Sequence, residues 1–130
     1  MTKIMVVDNH PNTVKAIQEV LYNEGYDIVT AYGGKECVRQ LKNTMVDLIL
    51  LDIMMPDMDG MEVCSILADD SKLKTIPIIT ISALSFSNSP FEELRKKIPY
   101  YKNIKDHISK PFDNKILIKK VRQVLEKGKT

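Results

Sequence analysis

The sequence predicts an α/β domain built on a parallel sheet with helices on both faces, and three observations carry that prediction. Four short runs, Ile4 to Val7, Ile28 to Ala31, Leu48 to Leu51 and Ile76 to Ile81, are rich in Val and Ile and too brief for helices. Stretches with helical spacing separate them, giving strand and helix in alternation. The runs are apolar on both faces, which is the pattern of strands covered from both sides in a parallel sheet.

Taken in order, Ile4 to Val7 leads into Asp8, and Val14, Ile17, Val20 and Leu21 then stripe a first helix that Gly25 stops. After Ile28 to Ala31, Cys37, Val38 and Leu41 mark a second helix. Leu48 to Leu51 runs into Asp52, and Met61, Val63, Cys64 and Leu67 mark a third helix. Beyond Ile76 to Ile81 a fourth helix is expected to end at Pro99. Its register is the least determined, because Ser85 to Pro90 holds little that favours a helix. Lys105 to Ser109 is a weaker fifth strand, and Ile116, Leu117, Val121, Val124 and Leu125 stripe a last helix capped by Asp113. No linker, repeat or low-complexity tract interrupts the series.

The chain has 130 residues, 44% apolar and 28% charged, the balance of one globular domain. A domain of this size buries roughly two-thirds of its unfolded surface and needs no metal or disulfide staple. Cys37 and Cys64 form no C-x-x-C pair and lie in apolar helical stretches, so they read as small buried hydrophobes in a reducing compartment. No run suits a membrane span, and Asp8 arrives too early for a signal peptide, so a cytoplasmic protein is expected. The net charge of +2 does not argue for nucleic acid. It is unevenly placed: residues 1–89 carry 7 basic and 12 acidic side chains, and 90–130 carry 12 and 5.

In open α/β sheets the ligand crevice lies beyond the carboxyl ends of the strands. Asp8 and Asp52 each follow such an end, so neighbouring strands would set them side by side. Paired carboxylates stay ionised only beside a compensating cation, and oxygen ligands suit Mg²⁺. Ser82 and Lys110 follow the fourth and fifth strands. A carboxylate, a cation site, a hydroxyl and an ammonium in one crevice suit a phosphoryl group. Each residue alone has a plainer reading: the Asp residues and Ser82 as turn or cap residues, Lys110 as a solvated charge.

Together the motifs resemble the response-regulator receiver domain of two-component signalling, from Lys3 to about Lys127. The matching residues are Val6-Val7-Asp8, the segment Leu50-Leu51-Asp52-Ile53-Met54-Met55-Pro56-Asp57-Met58-Asp59-Gly60, then Ser82-Ala83 and Lys110-Pro111-Phe112. The resemblance implies a doubly wound, flavodoxin-like sheet of five parallel strands in order 2-1-3-4-5 with five helices. It implies that Asp52 accepts a phosphoryl group from a histidine kinase. Asp8, Asp52 and the carbonyl of Met54 would bind Mg²⁺. Ser82 and Lys110 would contact phosphoryl oxygens, with Lys110 pairing with Asp52 at rest. A cis peptide is implied between Lys110 and Pro111.

The chain departs from the family's pattern in several places. Asn9 stands where a second carboxylate is usual; its amide oxygen can still ligate Mg²⁺ but brings no charge, so weaker binding is expected. His107 stands where an aromatic switch residue is usual, moving with Ser82; it brings a group that titrates near neutral pH. Met54 and Leu84 stand where side chains orient the water that hydrolyses an aspartyl phosphate, so slow dephosphorylation is expected. The stretch from Ser82 to Lys110 is about six residues longer than the resemblance leads one to expect, and Tyr100 and Tyr101 in it either pack back on the domain or offer a docking patch.

The expected protein is a single receiver domain over 1–130, a signalling switch with self-phosphorylation and self-dephosphorylation activity and no DNA-binding or enzymatic output domain following in this chain. The basic 90–130 segment, around Lys105, Lys119, Lys120 and Arg122, reads as a docking face for an acidic downstream protein; it lacks a nucleic-acid recognition motif. The alternatives are a phosphate-independent interaction module with the same fold, which Asn9 suggests, and a Mg²⁺-dependent aspartyl phosphatase. The phosphatase reading is weak, because the carboxylate it needs two residues beyond the nucleophile is Met54.

Overall fold

A computed structural model describes residues 1–83 and 103–127. Through them run β1 (Lys3–Val7), α1 (Pro11–Asn23), β2 (Asp27–Ala31), α2 (Gly34–Leu41), β3 (Leu48–Asp52), α3 (Gly60–Ala68), β4 (Ile78–Ser82), β5 (Ile104–Ser109) and α4 (Asn114–Lys127). All strand pairs are parallel, in the order β2-β1-β3-β4-β5. Four helices, not five, lie among the described residues. The helix expected between β4 and β5 falls on 84–102, outside them, as do Leu84, Pro99, Tyr100 and Tyr101.

The uninterrupted apolar runs follow from the two-sided burial of the central strands. Ile4 and Val6 of β1 and Leu48 and Leu50 of β3 pack with Val14, Ile17 and Leu21 of α1 and Leu117, Val121 and Val124 of α4. The alternate residues, Met5, Val7, Ile49 and Leu51, face Cys37 and Leu41 of α2 and Val63, Cys64 and Leu67 of α3. Both cysteines are buried and free, and burial pushes each thiol up to about 12. The fourth run enters the sheet at Ile78 rather than Ile76. Pro77 has no N–H to give a neighbouring strand, although its carbonyl accepts from Ile49 N at 3.0 Å.

Helix ends agree with their residues. Gly25, at φ +94°, closes α1: its N–H donates to Tyr22 O and that of Tyr26 to Leu21 O, the paired bonds of a left-handed cap. Asp113 caps α4, its Oδ1 accepting from Lys115 N at 2.7 Å. The Lys110–Pro111 peptide is cis, as the resemblance implied. No helix among the described residues is long and apolar enough to cross a membrane.

Candidate functional site

β1 and β3 are hydrogen-bonded neighbours in the middle of the sheet, so the residues at their carboxyl ends share one crevice. Asp8 is 1% exposed and Asp52 2% exposed. Lys110, delivered by the turn after β5, donates from Nζ to Asp8 Oδ2 at 2.7 Å and lies 3.7 Å from Asp52 Oδ1. The expected pairing of Lys110 with Asp52 is present as an ion pair at 3.7 Å, and the structure adds a shorter bond from the same ammonium to Asp8. One cation thus serves two buried carboxylates.

Burial pushes the Asp52 carboxyl above its ordinary range, and the neighbouring charge of Asp8 adds to the rise. Lys110, the Met54 N–H and His10 act in the opposite direction. The Met54 N–H donates to Asp52 Oδ1 at 3.3 Å, while its side chain stands 56% exposed. Ser82 is fully buried at the end of β4, and its carbonyl accepts from Lys110 N at 2.8 Å, tying the strand end to the lysine turn.

The three aspartates of the Asp52 to Gly60 segment do three different things. Asp52 enters the crevice. Asp57 reaches back to the start of α2 and accepts from Gly34 N at 3.3 Å and Lys35 N at 3.1 Å. The little burial it suffers would raise its carboxyl, but these N–H donors hold it below its ordinary value. Asp59 caps α3 by accepting from Glu62 N at 2.8 Å. Gly60 follows because a Cβ there would lie 2.7 Å from Asp52 O and from Ile53 Cα, both backbone atoms. The first turn of α3 can therefore abut the backbone of Asp52 only with glycine.

Asn9 is half-buried, and its Oδ1 is a buried acceptor with no hydrogen-bond partner among the described residues. A neutral oxygen in that condition, next to Asp8, fits a cation site. His10 was not singled out in the sequence, and the structure brings it to the crevice: its N–H donates to Asp8 Oδ1 at 2.9 Å, and its Nδ1 lies 3.0 Å from the same oxygen. Asp8, His10 and Asp52 offer ligand atoms all within 4.8 Å of one another. The missed signal was an Asp-x-His-Pro turn directly after a strand.

His107 lies apart from the carboxylates, on β5 opposite Thr80 of β4, and its Nδ1 is 2.7 Å from Thr80 Oγ1. Burial lowers its basicity, Lys120 lowers it further, and Asp106 opposes both. The basic face is partly committed within the domain. Lys120 donates to Asp106 Oδ1 at 3.2 Å and to the His107 carbonyl at 2.6 Å, and Arg122 donates to Glu24 Oε1 at 2.8 Å.

The comparisons agree with this geometry. The family model of the response regulator receiver domain matches residues 4–122. Over 126 residues the chain is 32% identical to the alkaline phosphatase synthesis transcriptional regulatory protein PhoP of Bacillus subtilis, covering 97% of this chain and 49% of that protein. It is 33% identical over 122 residues to the response regulator PleD of Caulobacter vibrioides, covering 94% of this chain and 26% of that one. The chain therefore spans half or less of these relatives. Among solved structures, the response regulator TrrA of Thermotoga maritima, in complex with Mg²⁺–BeF, is 31% identical with a TM-score of 0.79, covering 95% of this chain and 99% of that one. The signal receiver domain of a histidine kinase from Syntrophus aciditrophicus is 31% identical with a TM-score of 0.82, covering 97% and 91%. The chain belongs to the response-regulator receiver family.

Proposed function

We propose that residues 1–130 form one cytoplasmic receiver domain that takes a phosphoryl group from a histidine kinase onto Asp52 and thereby switches its affinity for a downstream protein. The observation that carries the reading is the buried Asp52 carboxylate at the end of a central strand, with Asp8 beside it and one lysine between them. An Asp52 oxygen forms the new O–P bond as the P–N bond of a phosphohistidine breaks, and the electron pair leaves with the imidazole. Lys110 and the Ser82 hydroxyl hold two of the phosphoryl oxygens. Lys110 can turn from Asp8 toward the phosphoryl group because its Nζ already lies between the carboxylates.

Asp8, Asn9, Asp52 and the carbonyl of Met54 would hold Mg²⁺, and the partnerless Asn9 oxygen supports that set. When bound, the ion neutralises charge on the phosphoryl oxygens. Burial serves the same chemistry by excluding competing water. Ser82 and His107 form the switch, and the face carrying Lys105, Lys119, Lys120 and Arg122 docks an acidic partner.

The test is incubation with acetyl phosphate and Mg²⁺, followed by intact-protein mass. The expected result is a gain of one phosphoryl group that is absent in Asp52→Asn. No gain in the unmodified protein would leave a phosphate-independent interaction module.

A further inference from the structure

We propose that His10 is a metal ligand of this receiver, converting an all-oxygen crevice into a mixed nitrogen and oxygen site that favours a borderline divalent ion of the Zn²⁺ class over Mg²⁺. The inference rests on the reading of Asp8 and Asp52 as a cation site and adds a ligand and a metal class to it.

Four observations meet at His10. Its ligand atom and those of Asp8 and Asp52 lie within 4.8 Å of one another, a spacing that lets one ion touch all three. The two oxygens of Asp8 are divided: Lys110 takes Oδ2, and the imidazole stands at Oδ1. The backbone of His10 is fixed in extended conformation, at φ −101° and ψ 106°, by the bond from its N–H to Asp8 and by Pro11 behind it. Although His10 is the N-cap residue of α1, its side chain makes no cap bond there, so the ring is not committed to the helix.

The chemistry follows from the donor set. Mg²⁺ is a hard ion that prefers charged oxygen and gives up water reluctantly, and Asn9 supplies oxygen without charge. Imidazole suits Zn²⁺, Ni²⁺ and related ions, for which affinity depends more on nitrogen donors. With the His10 side chain 64% exposed, a hydrated ion can reach it from solvent while the carboxylates stay buried. Cys37 and Cys64 do not compete, being buried with their thiols pushed up to about 12.

The experiment is calorimetric titration of the untagged protein and of His10→Phe, which keeps the bulk of the ring without its nitrogens, using ZnCl₂ and MgCl₂ separately. Absorption spectra with CoCl₂ report nitrogen ligation. The expected result is a loss of about tenfold or more in Zn²⁺ affinity, with Mg²⁺ affinity little changed and the Co²⁺ spectrum altered. An unchanged Zn²⁺ affinity, or an equal loss for both ions, would overturn the proposal, the latter because it marks His10 as orienting Asp8 without ligating. Acetyl phosphate labelling of Asp52 in Mg²⁺ is run alongside. If labelling persists while His10→Phe leaves ion selectivity unchanged, the receiver reading stands and only the His10 assignment falls; if the unmodified protein neither takes the label nor binds either ion, both fall.

Discussion

A 2.7 Å hydrogen bond joins the Thr80 hydroxyl to Nδ1 of His107 across β4 and β5. It holds the ring at the residue where the family usually carries an aromatic, and it ties that ring to a buried strand beside Asp52's own. A neutral imidazole can accept the hydroxyl proton at this nitrogen, whereas a protonated ring can only donate.

Protonation of His107 should therefore weaken the fold. Burial, then Lys120, lower its pKa below the ordinary 6.5, with Asp106 opposing. A base with a depressed folded pKa contributes stability that is full above 6.5 and is lost as the pH falls from there toward the folded value. The raised pKa of Asp52 acts with the opposite sign, but it is common to the unmodified protein and a His107→Phe variant. Urea midpoints measured for both below pH 6.5 should fall more steeply for the unmodified protein, and parallel curves would refute the assignment.

Lys110 should be worth more to stability than an ordinary surface lysine. Removing it leaves Asp8 and Asp52 facing each other in a crevice where each is nearly inaccessible. Lys110→Ala is expected to cost about 3 kcal/mol, and a second change, Asp8→Asn, should recover much of it. Asp52→Asn alone is expected to melt higher than the unmodified protein by a few degrees, as judged by thermal denaturation.

At Asn9 the relevant quantity is charge. Asn9→Asp should raise Mg²⁺ affinity by roughly tenfold, about 1.4 kcal/mol, in a calorimetric titration. Equal affinities would remove position 9 from the site.

The lifetime of the phosphorylated state should be long. Met54, more than half exposed beside Asp52, cannot orient an attacking water, and Leu84 is expected to behave alike, although it lies outside the described residues. The double variant Met54→Asn, Leu84→Glu should lose phosphate one to two orders of magnitude faster, about 1.4 to 2.7 kcal/mol off the barrier. Decay after removal of the donor, followed by mass, measures it.

What was legible in the sequence was whatever depends on strand burial and strand ends. Leu48 to Leu51 could be recognised because a central parallel strand must be apolar on both faces, and Asp8, Asp52, Ser82 and Lys110 because each lies at or just beyond the carboxyl end of a strand. What was not legible depends on where side chains reach. Lys110 reaches Asp8 at 2.7 Å as well as Asp52 at 3.7 Å. Asp57 caps a helix that begins 23 residues before it. Lys120 and Arg122 read in the sequence as part of a basic docking face, and only the fold shows their partners within the domain, Asp106 and Glu24. His10 had no periodicity to mark it, since it belongs to a turn.

The strand order carries a consequence for synthesis. β1 emerges first from the ribosome, yet one of its two neighbours is β3, with Ile4 opposite Leu48. The first carboxylate of the crevice thus waits for the second until residue 52, and both wait for their shared ammonium until residue 110. Contacts so distant along the chain form late. A nascent chain that ends short of β5 therefore lacks the ammonium that both acids share, and the crevice is complete only once nearly the whole domain has been made.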